Sequence, residues 1–557
     1  MMYSAKSEPT KADSVTADGL SRFYYLDNFQ HVLRYVLQQY RDLLNTAEID
    51  YGEHFLALNR PHQALLVRLY SRRGPCIRSD KLNYPEITPM DTVLDELVNA
   101  GWVRRNPSDL SVEVLATKLT RKDMQTCFNL PASASRQAQL QCLPTDSGAL
   151  MAKLPFDFLA PAHPMTVQVY LDLFFGNRYQ DLSTFVVSQL GHVKYPAYRL
   201  DQASRFFQSR DDLIHFQTLS SLREQFDTLE RDPGNVEELQ SLAHAISALP
   251  VGHPLSRRAD KLRNLIARQL ERWGQPALAY SLYQQTRLPP ARERTARILF
   301  NDRAWLDCYH LCLEMQREPR DESESFFAER QLPRCLRKLG LPPEIIGKPK
   351  PVKIGSLTLI QDTRLTIEQQ VAATFTAMGT DAFHVENWLF NALFGLLFWD
   401  TIFMPVRGAF MHPFQIQPHD LYHAEFHPRR HAELDTTLAQ VLTASDLDNR
   451  MLHAWQQHYG TANPFVGWTE NGEALLARAL ATIPRTHLQA IFRRLLSNLR
   501  HNSSGFPDLI RFTEDGGYEL IEIKGPGDQI RANQNAWLSF FEQEGIPASI
   551  LRVEWQA

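Results

Sequence analysis

Near the C-terminus, the segment FPDLIRFTEDGGYELIEIKGPGDQIRANQNAW (residues 506–537) carries charge where a buried hairpin would carry apolar side chains. Asp508 heads one apolar run, and Glu522 and Lys524, two apart, end the next. The intervening TEDGG ends in glycine and reads as a hairpin turn, so the runs are expected to be antiparallel strands. Counted outward from that turn, five residues lead back to Asp508 and five lead on to Glu522, which makes the two carboxyls neighbours across the ladder. Period-two geometry puts Glu522 and Lys524 on one face and Ile521 and Ile523 on the other. Two carboxylates in contact repel unless one is protonated or a cation lies between them. Oxygen donors of this kind hold Mg²⁺ or Mn²⁺. An ammonium group on the same face can stabilise charge on a phosphate or orient a hydroxide. The competing reading is a surface hairpin with an ordinary cross-strand Glu–Lys pair.

Other elements must bring further groups to such a hairpin. Gly525-Pro526-Gly527 follows the lysine, and the helix expected after it puts Gln534 and Trp537 near one face, so Gln534 can reach back. Glu386 stands just before a long apolar helix, expected over residues 388–403, that must pack against the sheet. A carboxylate there could equally be a helix-end partner, favourable near the N-terminal dipole. The His- and Pro-rich stretch after that helix holds His412, His419, His423, His427 and His431 without an HExxH spacing, and these read as loop and surface residues rather than ligands.

Upstream, the apolar spacing from residue 23 onward is helical, with Thr88 as N-cap, Pro89 at the first helical position and Gly101 at the C-terminal end of a helix followed by the strand WVRR. That succession resembles a winged-helix unit, with a generic helical subdomain as the alternative. Thr120 and Asp123 form a capping-box-like helix start beside Lys118, Arg121 and Lys122. A SAP-like hairpin binding DNA phosphates and a solvated basic face both fit. From about residue 211 to 340 the pattern is nearly all helical and resembles TPR-type helix pairs. Arg257, Arg258, Lys261, Arg263, Arg268 and Arg272 make one basic stretch there, which binds phosphates or merely faces water. The Pro-, Gly- and Lys-rich LGLPPEIIGKPKPVKIGSL reads as a linker. The expected division is a disordered tail (1–18), a helical, winged-helix-like region (19–105), a SAP-like DNA-binding region (106–175), a TPR-like domain (176–340) and an α/β domain with a mixed sheet (341–557).

Composition excludes several classes. The 557 residues are 44% hydrophobic and 22% charged, ordinary for a globular chain, and a net charge of −4 leaves nucleic-acid binding to local basic patches. No apolar run reaches the ~18 residues of a membrane span. The polar N-terminus lacks a signal-peptide core, and the six cysteines form no CxxC pair, so neither a zinc finger nor a disulfide framework is expected. The expected location is intracellular and DNA-associated, in the cytoplasm or nucleoid if the source is bacterial.

Pro507-Asp508 with Glu522-Ile523-Lys524 is the PD-(D/E)xK nuclease motif, and the surrounding sequence resembles the VRR-NUC nuclease domain. With FHVENWLFNALFGLLFWDTIF before it, and with the order of domains, the chain from about residue 23 onward resembles the Fanconi-associated nuclease family, as a shorter, bacterial-type member. The resemblance implies Asp508, Glu522, Glu386 and the Ile523 carbonyl as metal ligands, Lys524 as the catalytic lysine and Gln534 as the helix glutamine. Asp528 matches an acid just past the lysine. It implies a phosphodiester hydrolase of phosphodiesterase I type, a 5′ flap endonuclease and 5′–3′ exonuclease acting with Mn²⁺ or Mg²⁺ in interstrand crosslink repair. The implied partner is DNA with a 5′ flap or branch. Vertebrate members carry a ubiquitin-binding zinc finger whose Cys/His cluster has no counterpart here, so ubiquitin-dependent recruitment is not expected. The alternatives are a restriction-like nuclease that reads sequence and a non-catalytic helical scaffold.

Overall fold

The computed structural model describes residues 22–556, except 73, 129–134, 181, 183–192, 247–248, 250–252 and 343–352. The expected disordered tail lies outside these residues. Chain contacts separate two compact units, Met1–Val193 with Phe207–Leu213, and Lys194–Phe206 with Ile214–Ala557.

In the first unit, helices Tyr24–Gln39, Thr46–Ala57, Arg60–Tyr70 and Met90–Asn99 accompany a small antiparallel sheet. Its strands β1 (Ile77–Arg78), β2 (Val103–Arg105) and β3 (Phe158–Pro161) run in the order β1-β3-β2. Helix, turn and strand thus follow the winged-helix pattern. Gly101 turns the chain with φ +78°, and the Trp102 N–H donates to the Leu97 carbonyl at 2.9 Å. One cap differs from expectation. The helix starts at Met90 with Pro89 as the N-cap residue, because Pro89 is extended at ψ 127°. The capping box before helix Arg121–Phe128 is present. The Asp123 N–H donates to Thr120 Oγ1 at 3.2 Å and the Thr120 N–H to Asp123 Oδ2 at 2.7 Å.

The second unit opens with helices packed as consecutive neighbours, among them Ser256–Arg272 on Pro276–Tyr283 and Trp305–Arg317 on Glu322–Leu339. A five-stranded mixed sheet follows, built from β4 (Lys353–Leu359), β5 (Ala382–His384), β6 (Leu509–Phe512), β7 (Tyr518–Lys524) and β8 (Ala548–Trp555). The order is β4-β8-β7-β6-β5, with β8 parallel to both neighbours and β6 antiparallel to both β5 and β7. β4 corrects the linker reading. Residues 353–357 are an edge strand, where low apolar content suffices because one side lacks a partner strand. The apolar stretch is also not one helix. It divides into Leu389–Leu397 and Trp399–Ile402, because Phe398 takes ψ 18°, outside the helical range.

Alternation along the strands splits the core in two. Ile510, Phe512, Tyr518 and Leu520 pack with Leu393, Phe394, Phe492, Trp537 and Phe541. Leu509, Ile521, Ile523 and Val553 pack on Val371 and Phe375 of helix Ile367–Ala377. Helices therefore cover both faces of the sheet, and polar side chains at the ends of β5, β6 and β7 are held on a rigid base.

Candidate active site

The hairpin has the register its turn predicts. Leu509 faces Ile521 and Phe512 faces Tyr518, so Asp508, one residue before β6, falls opposite Glu522. Both carboxyls are buried, Asp508 to 7% and Glu522 to 1% exposure. The Ile523 N–H donates to Asp508 Oδ2 at 2.7 Å. Lys524 Nζ lies 2.7 Å from Glu522 Oε1 and donates to Gln534 Oε1 at 3.1 Å. The Arg531 N–H reaches the same Gln534 oxygen at 3.0 Å, which fixes the amide at the start of helix Ala532–Glu544. Despite the nearby ammonium, neither Glu522 oxygen has a directed hydrogen bond among the described residues.

Glu386 arrives from the other side. It sits on the exposed turn between β5 and helix Leu389–Leu397, rather than on the helix itself. His384, Glu386 and Asp508 each offer a donor atom within 4.8 Å of the others. Glu522 is outside that group and faces Lys524 instead. Four backbone and side-chain hydrogen bonds fix the turn. The Val385 N–H donates to the Asp508 carbonyl at 2.8 Å. Asn387, at φ +50°, accepts from the Gly505 N–H at 2.8 Å and the Phe506 N–H at 3.2 Å, and its amide donates to Glu386 Oε1 at 3.2 Å. Gly505 takes φ +91°, and a Cβ there would lie 2.9 Å from the Asn533 carbonyl carbon, so only glycine lets this turn pass the Gln534 helix.

Concentrated negative charge in a dry place raises the acids. Burial lifts Asp508 to about 6, against the Ile523 hydrogen bond and with Glu386 and Glu368 adding to the rise. Burial lifts Glu522 to about 7, helped by Asp508 and opposed by Lys524. One ammonium, that of Lys524 at 2.7 Å from Glu522, offsets part of this charge. Two or three carboxylates and an imidazole, one carboxylate lacking directed hydrogen bonds, make a donor set suited to a divalent cation.

The other residues singled out from the sequence divide. Asp528 Oδ2 accepts from the Gly525 N–H at 3.1 Å and so closes the turn after Lys524. Arg121 and Lys122 are exposed beside their capping box, with Lys118 partly buried. The basic stretch separates on its own helix. Arg263 pairs with Asp260 at 3.1 Å and Arg268 with Glu271 at 3.2 Å, so those two are compensated by nearby acids. Arg258 lies 4.3 Å from the Phe216 ring centroid. Burial holds Arg257 and Lys261 below their ordinary range, with Arg500 adding to the drop in both and Glu425 and Asp260 opposing it at Arg257. The surface reading fails for His412, which is fully buried, its Nδ1 accepting from the Phe414 N–H at 3.2 Å. None of the five loop histidines joins the acidic group. Sequence reasoning missed His384, a lone histidine ending a short strand, and Asn387, whose only signal is an Asn placed to adopt positive φ.

Comparison with known proteins places this geometry. The "FAN1, HTH domain" family matches residues 23–104 and the VRR-NUC domain family residues 442–555. A Fanconi-associated nuclease 1 homolog of Pseudomonas aeruginosa is 33% identical over 547 residues, covering 96% of each chain. The chain belongs to the Fanconi-associated nuclease family. An Arabidopsis thaliana homolog is 24% identical, over 95% of this chain and 67% of its own. The crystal structure of paFAN1 bound to a 2-nt 5′ flap DNA with a gap superposes with TM-score 0.82 at 32% identity, covering 96% of this chain and 99% of that one. As a Fanconi-associated nuclease with a VRR-NUC domain, the chain is a DNA phosphodiester hydrolase that uses a divalent metal. Glu386 lies before the VRR-NUC match, so the domain family alone does not include it.

Proposed function

We propose that this chain is a structure-selective nuclease that cuts DNA at 5′ flaps, trims strands 5′ to 3′ and serves DNA repair, including interstrand crosslinks. The observation that carries this reading is the likeness, over 96% of the chain, to a protein crystallised on 5′ flap DNA. Likeness extending well beyond the nuclease hairpin favours recognition of DNA shape, since the helical regions would grip the duplex arms. Lys118, Arg121, Lys122, Arg257, Arg258 and Lys261 are the proposed phosphate contacts, with Arg263 and Arg268 in supporting ion pairs. This keeps the SAP-like (106–175) and TPR-like (176–340) divisions as DNA-handling regions. DNA itself, rather than ubiquitin, is the proposed recruiting partner, inside the cell.

In this reading Asp508, Glu386 and Glu522, with the Ile523 carbonyl, hold Mn²⁺ or Mg²⁺. The bound ion would polarise the phosphoryl oxygen and lower the pKa of the attacking water. Asp508 is held in place by the Ile523 N–H, and Glu386 by Asn387. Lys524, steered by Gln534, presents its ammonium where negative charge grows on the phosphorus centre. The buried face of the sheet keeps these groups from relaxing as charge moves.

Labelled flap, nicked, forked and plain duplex substrates, each with Mn²⁺ and with Mg²⁺, test the reading. Cleavage should follow junction geometry whatever the bases. Cutting of plain duplex at fixed sequences, indifferent to flaps, would replace it with the restriction-like alternative.

A further inference from the structure

We propose that His384 is a nitrogen ligand of the active-site cation and makes this site select Mn²⁺ over Mg²⁺. The inference rests on the cation reading of Asp508 and Glu386 given above and adds to it a donor of a different kind. His384 is the last residue of β5 and pairs with Leu509, the neighbour of Asp508. The hydrogen bond from the Val385 N–H to the Asp508 carbonyl locks that register at 2.8 Å. The register brings the end of β5 alongside the start of β6, and there the imidazole, the Glu386 carboxylate and the Asp508 carboxylate converge. The three donor atoms lie within 4.8 Å of one another. An ion with bonds of about 2.1 Å spans roughly 4 Å between opposed donors, so a small side-chain rotation closes all three on one ion. His384 is exposed, so its ring meets the ion at the open side of the site, whereas Asp508 approaches from the buried side.

The chemistry of the donor sets the selectivity. Mg²⁺ takes oxygen ligands in near-ideal octahedra and gives up its waters reluctantly. Imidazole is a ligand of first-row transition ions, and Mn²⁺, although the weakest binder among them and at home with carboxylate and water, accepts a nitrogen more readily than the hard Mg²⁺ ion does. A nitrogen placed among carboxylates therefore strengthens Mn²⁺ binding and leaves Mg²⁺, bound through the acids and water, nearly unaffected.

The test titrates the full chain, without DNA, with MnCl₂ and separately with MgCl₂ by calorimetry, in wild type, His384→Gln and Asp508→Asn. Pulsed electron paramagnetic resonance of the Mn²⁺-loaded proteins gives a readout independent of cleavage. Wild type should show ¹⁴N modulation from a coordinated ring nitrogen, and His384→Gln should lose it. His384→Gln should weaken Mn²⁺ by about tenfold or more while Mg²⁺ shifts by less than about twofold. Asp508→Asn should weaken both ions. Absence of ¹⁴N modulation in wild type, or equal loss of both ions in His384→Gln, overturns the assignment of His384 while the carboxylate site stands. Retention of both ions by Asp508→Asn overturns the assignment together with the reading beneath it.

Discussion

Two buried acids at the end of a hairpin are a local liability that function alone explains. Because burial raises Asp508 to about 6 and Glu522 to about 7, each takes up protons more readily in the folded chain than in the unfolded one. A raised acid therefore lowers stability as pH climbs from the ordinary carboxylate range through the folded value, and the loss is complete above it. Metal-free Glu522→Gln should consequently melt higher than wild type at pH 8, with the gain shrinking toward pH 5, where wild type has already taken up its protons. Differential scanning calorimetry in chelator at the two pH values checks this, and a gain that grows on acidification would contradict it. Lys524 has the opposite character, a cation that pairs with Glu522 at rest and in the proposed mechanism serves the charge that builds on the phosphate. Lys524→Met should lower single-turnover cleavage by ~10²–10³-fold while Mn²⁺ affinity is kept, because the change removes transition-state charge and no ligand.

At the scale of elements, the site is a junction of three pieces: the β6–β7 hairpin, the turn after β5 and the start of the helix Ala532–Glu544. Asn387 joins the first two by accepting from Gly505 and Phe506 while holding Glu386. Asn387→Ala strands two N–H groups in a partly buried turn, at about 1–3 kcal/mol, and frees Glu386 to swing away. A fall in melting temperature accompanied by weaker metal binding is expected. Loss of stability with full metal affinity would confine Asn387 to the fold. The hairpin was legible in the sequence because turn, alternation and misplaced charge all agree on one register. Glu386 was legible as a candidate for the site only through family resemblance, since by itself it resembles any acid near a helix start. Asn387 was not legible, because its role depends on positive φ and on a partner 118 residues away. β4 was missed for a related reason. An edge strand paired on one side needs few apolar residues, and its Lys, Gly and Ser read as linker. The split of the basic stretch was in fact visible in advance, because Asp260 and Glu271 sit three residues from Arg263 and Arg268 on the same helix.

For the molecule as a whole, a net charge of −4 means that DNA must be gripped by local concentrations of positive charge. Arg257, Lys261 and Arg500 form one such concentration on the second unit, close enough to repel one another, with Glu425 and Asp260 opposing that repulsion at Arg257. Replacing all three with Gln should weaken flap binding and reduce the slope of log K against log salt by about two to three. The same change at Arg263 and Arg268 should leave the slope nearly intact and lower stability instead. Fluorescence anisotropy across a salt series separates the two sets, and equal slopes for both would return the whole stretch to a solvated face.

The strand order carries one more implication, for how the chain reaches its folded state. β8 sits between β4 and β7, and it is parallel to both. Until it docks, the hairpin that bears Asp508 and Glu522 has an open edge, and β4 has no partner at all. β8 follows β7 after a single helix and closes that edge locally, but the pairings of β4 with β8 and of β5 with β6 join segments far apart in sequence and form late and slowly, since the intervening chain must be ordered first. Refolding followed by tryptophan fluorescence should therefore show the helical elements forming ahead of metal-binding competence. The nuclease would be assembled last, after the helices proposed to hold its DNA.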